Sequence, residues 1–261
     1  MSFSTDQFRL TGKVAIVTGA GGRANSIGRA YALGLANAGA AVVAADLNEE
    51  GARRVADEIV AAGGQAIGVG VDIARPESAV AMADAASEAF GGIDILVNNA
   101  ALMLDMSHAN ALEIPIEEWN RVLAVNLTGA LNCARAVVPS MRARGGGKIV
   151  SQLSGGAFPA VSVYGVSKLA LLGLTTTLAQ QLGRDKINVN AIAPGNTMSE
   201  AGRMLTPDDS PFIKFLEASV AMRVRGQPDE LVGSLLLLCS PAGDWITGQV
   251  IHVDGGWILR P

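Results

Sequence analysis

The sequence predicts an α/β protein in which one parallel sheet is covered by helices on both faces. Two observations carry this. Short runs rich in valine and isoleucine alternate with longer helix-like stretches from residue 13 to about residue 256. Those runs are apolar at successive positions, as expected of strands buried on both faces. No linker-like stretch interrupts the alternation, so residues 1–261 read as one domain, although the length could hold two.

The elements follow in order. "KVAIVTG" (13–19) is a strand, and the alanine-rich "IGRAYALGLANAG" (27–39) is a helix behind it. "AAVVAAD" (40–46) and "EEGARRVADEIVAAGG" (49–64) repeat the unit, as do "QAIGVGVD" (65–72) and "RPESAVAMADAASEAFGG" (75–92). "IDILVNNA" (93–100) precedes a long helical stretch that ends at "VVPSMRARGG". "GKIVSQLS" (147–154), the helix from Tyr164, "INVNAIAP" (187–194) and "GQVIHVDGG" (248–256) complete the series. Residues 196–226 break the rhythm, mixing apolar residues with turn signals. An insertion of that length at the carboxyl edge of a sheet reads as a substrate lid, or else as a pair of ordinary surface helices.

The connection after the first strand, "GAGGRANS" (19–26), is small-residue-rich and longer than a tight strand-to-helix turn. Gly19, Ala20, Gly21 and Gly22 leave room for backbone N–H groups to face a phosphate, and Ser26 stands as helix N-cap before Ile27-Gly28. A formal G-x-G-x-x-A match ends at Ala24, but the helical pattern starts only after Ser26. Alone, such a turn is weak evidence for a nucleotide. Eighteen residues past Gly28, at the end of the second strand, stands Asp46, followed by Leu47. A carboxylate there can accept hydrogen bonds from adenosine ribose hydroxyls and repels a 2′-phosphate, which favours NAD over NADP. Arg23 is the dissenting residue, since a guanidinium could serve a 2′-phosphate, touch the pyrophosphate or stay solvated.

The chemistry concentrates in "YGVSK". Tyr164 and Lys168 stand four apart on a helix and so share a face. A free tyrosine has a pKa of about 10, and a nearby ammonium lowers it. The pair is therefore a workable general acid–base.

These motifs do not stand alone. Thr18-Gly19, Asp46, "VD" (71–72), "NNAA" (98–101), "VNLTG" (125–129), "SQLS" (151–154), "YGVSK" and "NAIAPG" (190–195) come in a fixed order along nearly the whole chain. Together they resemble the short-chain dehydrogenase/reductase family. The resemblance implies a single doubly wound (Rossmann) sheet of seven strands that binds NAD(P), with an Asn-Ser-Tyr-Lys catalytic set. By that resemblance Tyr164 exchanges the proton at the substrate oxygen. Lys168 lowers its pKa and binds the nicotinamide ribose, and Asn126 positions a water in the proton relay behind the lysine. Asp72, with Ile73, matches the adenine contact, and Asn98 and Ala100 match the strand-end turn along the adenosine half. Pro194 and Gly195 match the turn against the nicotinamide. After that turn, Thr197 or Ser199 could hold the carboxamide, and Thr197 is preferred.

The serine has three candidates. Counting back from Tyr164 as is usual in the family gives Ser151, whereas aligning the strand end gives Ser154, with Ser162 a distant third. Strand ends are fixed by the sheet while loops shorten, so Ser154 is chosen as the donor to the oxygen on which charge grows. Three departures from the family pattern remain: the phosphate turn is three residues longer, with Ser26 in place of its middle glycine; Ala101 replaces a glycine; and Ser199 occupies the usual threonine position.

The rest of the chain narrows the partners. The net charge is −4 and no basic run occurs, which argues against nucleic acid and anionic membranes. Cys133 and Cys239 sit in apolar helix-like segments and read as reduced core residues; His108 and His252 show no ligand spacing, so no metal is expected. The start has no secretory pattern, and no run approaches the roughly 18 apolar residues of a membrane span, which suggests a cytoplasmic protein. Leu102, Met103, Leu153, Phe158, Met204, Leu205, Phe212 and Phe215 would line an apolar pocket for a neutral, alicyclic, terpene- or steroid-like secondary alcohol or ketone. Alternatives are a 3-oxoacyl-carrier-protein reductase and, in another class, a non-catalytic NAD-sensing binding protein. Family resemblance implies a homotetramer or a homodimer, and a homotetramer is expected.

Overall fold

The computed structural model describes residues 4–104, 111–158 and 160–259, apart from the side chains of residues 211, 212 and 216; His108 and the side chain of Phe212 therefore lie outside the described residues. Seven strands run parallel: β1 (Val14–Thr18), β2 (Ala41–Asp46), β3 (Ala66–Gly70), β4 (Ile95–Asn98), β5 (Gly147–Gln152), β6 (Ile187–Pro194) and β7 (Val250–Val253). Their spatial order is β3-β2-β1-β4-β5-β6-β7. The connecting helices are α1 (Ile27–Asn37), α2 (Glu49–Ala61), α3 (Pro76–Phe90), α4 (Ile116–Leu123), α5 (Ala130–Ala143) and α6 (Val163–Leu182). A wide turn with π geometry, Ala124–Gly129, joins α4 to α5 in one continuous helix. Then come α7 (Glu200–Leu205), α8 (Pro211–Ser219) and α9 (Val232–Cys239).

The inner strands β1, β2, β4, β5 and β6 are largely buried on both faces, whereas β3 and β7 at the sheet edges are only partly buried. Along β1, Ala15 and Val17 join a core with Tyr31 and Leu35 of α1, Ile59 of α2 and Leu235 of α9. Ile16 points the other way, into a core with Met82 of α3, Val137 and Met141 of α5 and Leu182 of α6. The continuous helix Ile116–Ala143 is long and apolar enough to cross a membrane by length and composition alone, yet half of that window is buried inside this fold. Its α5 portion packs on α3 and on β4 and β5.

Strand order reverses beside β1, which lies between β2 and β4, so the carboxyl ends of β1 and β4 bound a crevice. Thr18 fastens that crevice. Its hydroxyl donates to the Val97 carbonyl at 3.2 Å and accepts from the N–H groups of Asn99 (3.1 Å) and Ala100 (3.2 Å). The 196–226 interval leaves β6 and closes on itself at the base: Met198 N–H donates to the Gly226 carbonyl (2.7 Å), and Gly226 N–H to that of Asn196 (3.2 Å). It carries α7 and α8, and Asn196, Thr197, Ser199, Ala201, Gly202, Leu205 and Thr206 of this interval line the cleft at the carboxyl ends of the strands.

Candidate active site

A cleft of about 510 Å³ follows the carboxyl edge of the sheet from Asp46 to Tyr164 and Trp257. Gly19, Gly22, Arg23, Ser26 and Ile27 line one stretch of it. Gly19 has φ +70°, a conformation that favours glycine. Gly21 lies so close to α2 that a Cβ there would stand 2.1 Å from the Ala52 nitrogen. Ser26 caps α1 by accepting from the Arg29 N–H at 3.1 Å, so the helix starts where the apolar pattern placed it. The result is a small-residue turn that opens onto the N-terminus of an eleven-residue helix, an arrangement suited to a pyrophosphate.

The extra residues of this turn are anchored on the 196–226 excursion. Glu200 N–H donates to the Asn25 carbonyl at 2.8 Å, and the Asn25 side-chain amide donates to the Met198 carbonyl at 3.1 Å. Arg23 stands 3.9 Å from the Glu200 carboxylate. Asp46 is equally fixed, because one oxygen accepts from Gly21 N–H and the other from Asn48 N–H, both at 2.9 Å. Leu47 beside it is 78% exposed and forms an apolar lip to the cleft. Asp72 and Ile73 line the same end.

Two predicted residues sit elsewhere. Asn98 is buried, and its amide points toward the Ala130 carbonyl at 3.4 Å rather than into the cleft. It is Asn99 that lines the cleft beside Ala100, with its amide bridging the carbonyls of Thr18 (2.9 Å) and Gly19 (3.1 Å). Adjacent strand residues face opposite sides, so one position decides which amide reaches the site. Asn126 is also outside the cleft lining and buried. Its side chain accepts from Leu102 N–H (2.7 Å) and donates to the Leu102 carbonyl and to Ser167 Oγ, both at 3.0 Å. Those bonds make it the brace of the loop after β4.

Ser154, Tyr164 and Lys168 do converge. The Ser154 hydroxyl hydrogen-bonds the Tyr164 phenol, while Lys168 Nζ lies 5.6 Å from the centre of the tyrosine ring. The lysine Nζ also donates to the Gln152 carbonyl at 2.7 Å. Ser151 is buried within β5, paired with Asn98 and Ala191 on its two sides, and is not part of the cleft lining. Ser162 lines the cleft and caps α6, accepting from Gly165 N–H at 3.2 Å, much as Ser154 accepts from Gly156 N–H at 3.1 Å; of the two, it is Ser154 that acts on the Tyr164 phenol. Pro194, Gly195, Thr197 and Ser199 also line this end; the hydroxyls of Thr197 and Ser199 lie 3.3 Å apart, and Ser199 additionally caps α7.

The electrostatics depart from the expectation of an acidified phenol. Burial pushes Tyr164 up to about 12, with the Ser154 hydrogen bond pulling the other way. Burial likewise pushes Lys168 down to about 7. Desolvation penalises the charged form of each group and is the leading cause of both shifts.

On the substrate side, Leu102, Met103, Leu153 and Leu205 line the cleft as predicted. Phe158 instead packs on the His252 ring, with centroids 4.8 Å apart, and Met204 and Phe215 are mostly exposed. Asn99, Gln152 and Trp257 are among the cleft residues that sequence reading missed. Gln152 acts on Lys168 through its backbone carbonyl, for which no side-chain signal exists. Trp257 carried a signal, because it follows a double glycine at the end of the last strand. Among the described residues no group of three or more His, Cys, Asp or Glu could hold a metal.

The family model described as "Enoyl-(Acyl carrier protein) reductase" matches residues 22–258. An oxidoreductase from Mycobacterium tuberculosis is 48% identical over 248 residues, 95% of this chain and 98% of that one. The 7alpha-hydroxysteroid dehydrogenase of Escherichia coli is 36% identical over 260 residues, 98% of each chain. Among solved structures, a 7α-hydroxysteroid dehydrogenase complexed with NADH and 7-oxo glycochenodeoxycholic acid superposes with a TM-score of 0.89 at 35% identity, covering 99% of both chains. A gluconate 5-dehydrogenase from Burkholderia cenocepacia in complex with NADP and tartrate also gives 0.89, at 37% identity over 97% of both. The chain belongs to the short-chain dehydrogenase/reductase family. It is an oxidoreductase of that type, and the family uses NAD(P).

Proposed function

We propose that this chain is an NAD-dependent dehydrogenase/reductase that interconverts a secondary alcohol and a ketone on an apolar, ring-bearing substrate. The observation that carries the reading is the meeting of Ser154, Tyr164 and Lys168 at one end of a cleft whose other end holds Asp46 and a glycine turn. The residues fit a dinucleotide: Gly19, Ser26 and Ile27 would face its pyrophosphate, Asp46 and Leu47 its adenosine ribose, and Asp72, Ile73, Asn99 and Ala100 its adenosine half. Lys168, Pro194, Gly195 and Thr197 would hold the nicotinamide end. NAD is favoured because Asp46 is locked in place by two backbone N–H groups, while Arg23 shares its charge with Glu200. When bound, the dinucleotide supplies the carbon that accepts or returns hydride and, when oxidised, a positive charge.

The protein groups divide the remaining work. Ser154 Oγ donates a hydrogen bond to the substrate oxygen and stabilises the negative charge that grows there. Tyr164 Oη gives its proton to that oxygen in reduction and removes it in oxidation. At about 12 the phenol holds its proton, ready for the ketone, whereas oxidation needs the phenolate and therefore a charged Lys168 beside it. Leu102, Met103, Leu153 and Leu205 give the substrate no charged partner. The 196–226 excursion acts as the lid over them.

The test is a panel of alicyclic, steroid and terpene alcohols assayed with NAD⁺ and NADP⁺ separately. Turnover is expected with NAD⁺ and to fall by at least about a hundredfold in Tyr164→Phe, with dinucleotide binding retained. Faster turnover with NADP⁺, or an active phenylalanine variant, would reject the reading.

A further inference from the structure

The cleft ends on an aromatic residue that the proposed chemistry does not use. Trp257 lies in the turn after β7, and Asp254 holds that turn rigid. One Asp254 oxygen accepts from the N–H groups of Gly256 (2.9 Å) and Trp257 (3.2 Å), and the other from that of Ile258 (2.9 Å). The indole is brought against Gly155, the residue next to Ser154: a Cβ added there would stand 2.7 Å from the ring carbons Cε3 and Cζ3. Only glycine at position 155 lets the ring occupy that place. The far end of the lid is sewn to the same turn, since Met222 N–H donates to the Gly255 carbonyl at 3.0 Å.

We propose that Trp257 is a specificity-determining residue, the wall on which the substrate's ring lies while its oxygen is held by Ser154 and Tyr164. This rests on the function proposed above and narrows its substrate class. An indole face takes an alicyclic skeleton through apolar contact. It offers the several hydroxyls of an acyclic polyol nothing that replaces their water, so those substrates keep the full cost of desolvation. Asp254 and Gly155 are positioning residues for that wall.

The experiment compares Trp257→Ala and Trp257→Phe with the unaltered enzyme on a hydroxysteroid and on 2-butanol, both with NAD⁺. For the hydroxysteroid, Trp257→Ala is expected to raise KM about tenfold while kcat changes less than about twofold, the size of effect an apolar pocket contact has on discrimination. For 2-butanol kcat/KM stays within about twofold, and Trp257→Phe recovers most of the hydroxysteroid KM. Equal losses on both alcohols, or none on either, would overturn the proposal. A second measurement is independent of turnover. In Trp119→Phe/Trp245→Phe, Trp257 is the only tryptophan left, and its emission should shift saturably when the hydroxysteroid is titrated in. A flat titration rejects the wall. If no alcohol is turned over and the emission still shifts, the proposed reaction fails while the wall stands.

Discussion

Ser151 and Ser154 are the same residue type three positions apart, and only their places on β5 tell them apart. Ser151 is locked inside the sheet, whereas Ser154 stands past the strand's end, bonded to the phenol. Ser154→Ala is therefore expected to lower kcat about 10²- to 10³-fold, as loss of one oxyanion donor does, while Ser151→Ala stays within about twofold; steady-state kinetics separates the two. Lys168 makes a second prediction. Its pKa falls from the usual 10.5 to about 7 on folding, so between pH 7 and 9 the unfolded chain binds more protons at this site than the folded one. Stability of the ligand-free protein should rise with pH across that window, by up to about 1.4 kcal/mol per pH unit. Above it the buried thiols of Cys133 and Cys239, pushed up to about 12, act in the opposite sense. Denaturant midpoints at pH 7, 8 and 9 should show the rise, and Lys168→Met should flatten it. The helical spacing revealed that Tyr164 and Lys168 meet. It could not reveal that burial pushes Tyr164 up and Lys168 down, because depth in a fold is not written in spacing.

The strands were the most legible elements, since an apolar run buried on both faces has few other uses. Their ends were legible only to within one residue, and that residue exchanged Asn98 for Asn99 at the cleft. What fixes the end of β4 is Thr18 on the neighbouring strand, through one donated and two accepted hydrogen bonds. Thr18→Val keeps the shape and deletes all of them, leaving buried backbone groups with fewer partners. A loss of about 2 kcal/mol is expected in urea unfolding, with weakened dinucleotide binding as the Asn99 turn loosens. The bridge from Asn126 to Leu102 belongs to the same scale. The motif "VNLTG" marked the asparagine, but its partner is a backbone and therefore carries no signature.

At the scale of the whole molecule, the ordered motifs specified the sheet, the crevice and the family, while the surface of the assembly remained unwritten. We expect a homotetramer. Trp245 is 99% exposed and Leu169 of α6 is 45% exposed, and among the described residues β7 pairs with β6 on one side only. Sedimentation should give a tetrameric mass, and Trp245→Arg should move it toward smaller species. The lengthened glycine turn also has a consequence for anyone who transplants parts between family members. Its Asn25 carbonyl and the Glu200 N–H satisfy each other across two segments that are remote in sequence. A graft that imports a relative's 196–226 onto this frame, or a shorter turn beneath this lid, strands both groups at once. Both residues are exposed, so water can take up the freed groups, and what is lost is the tie between the turn and the 196–226 excursion. The two segments should be exchanged as a matched set.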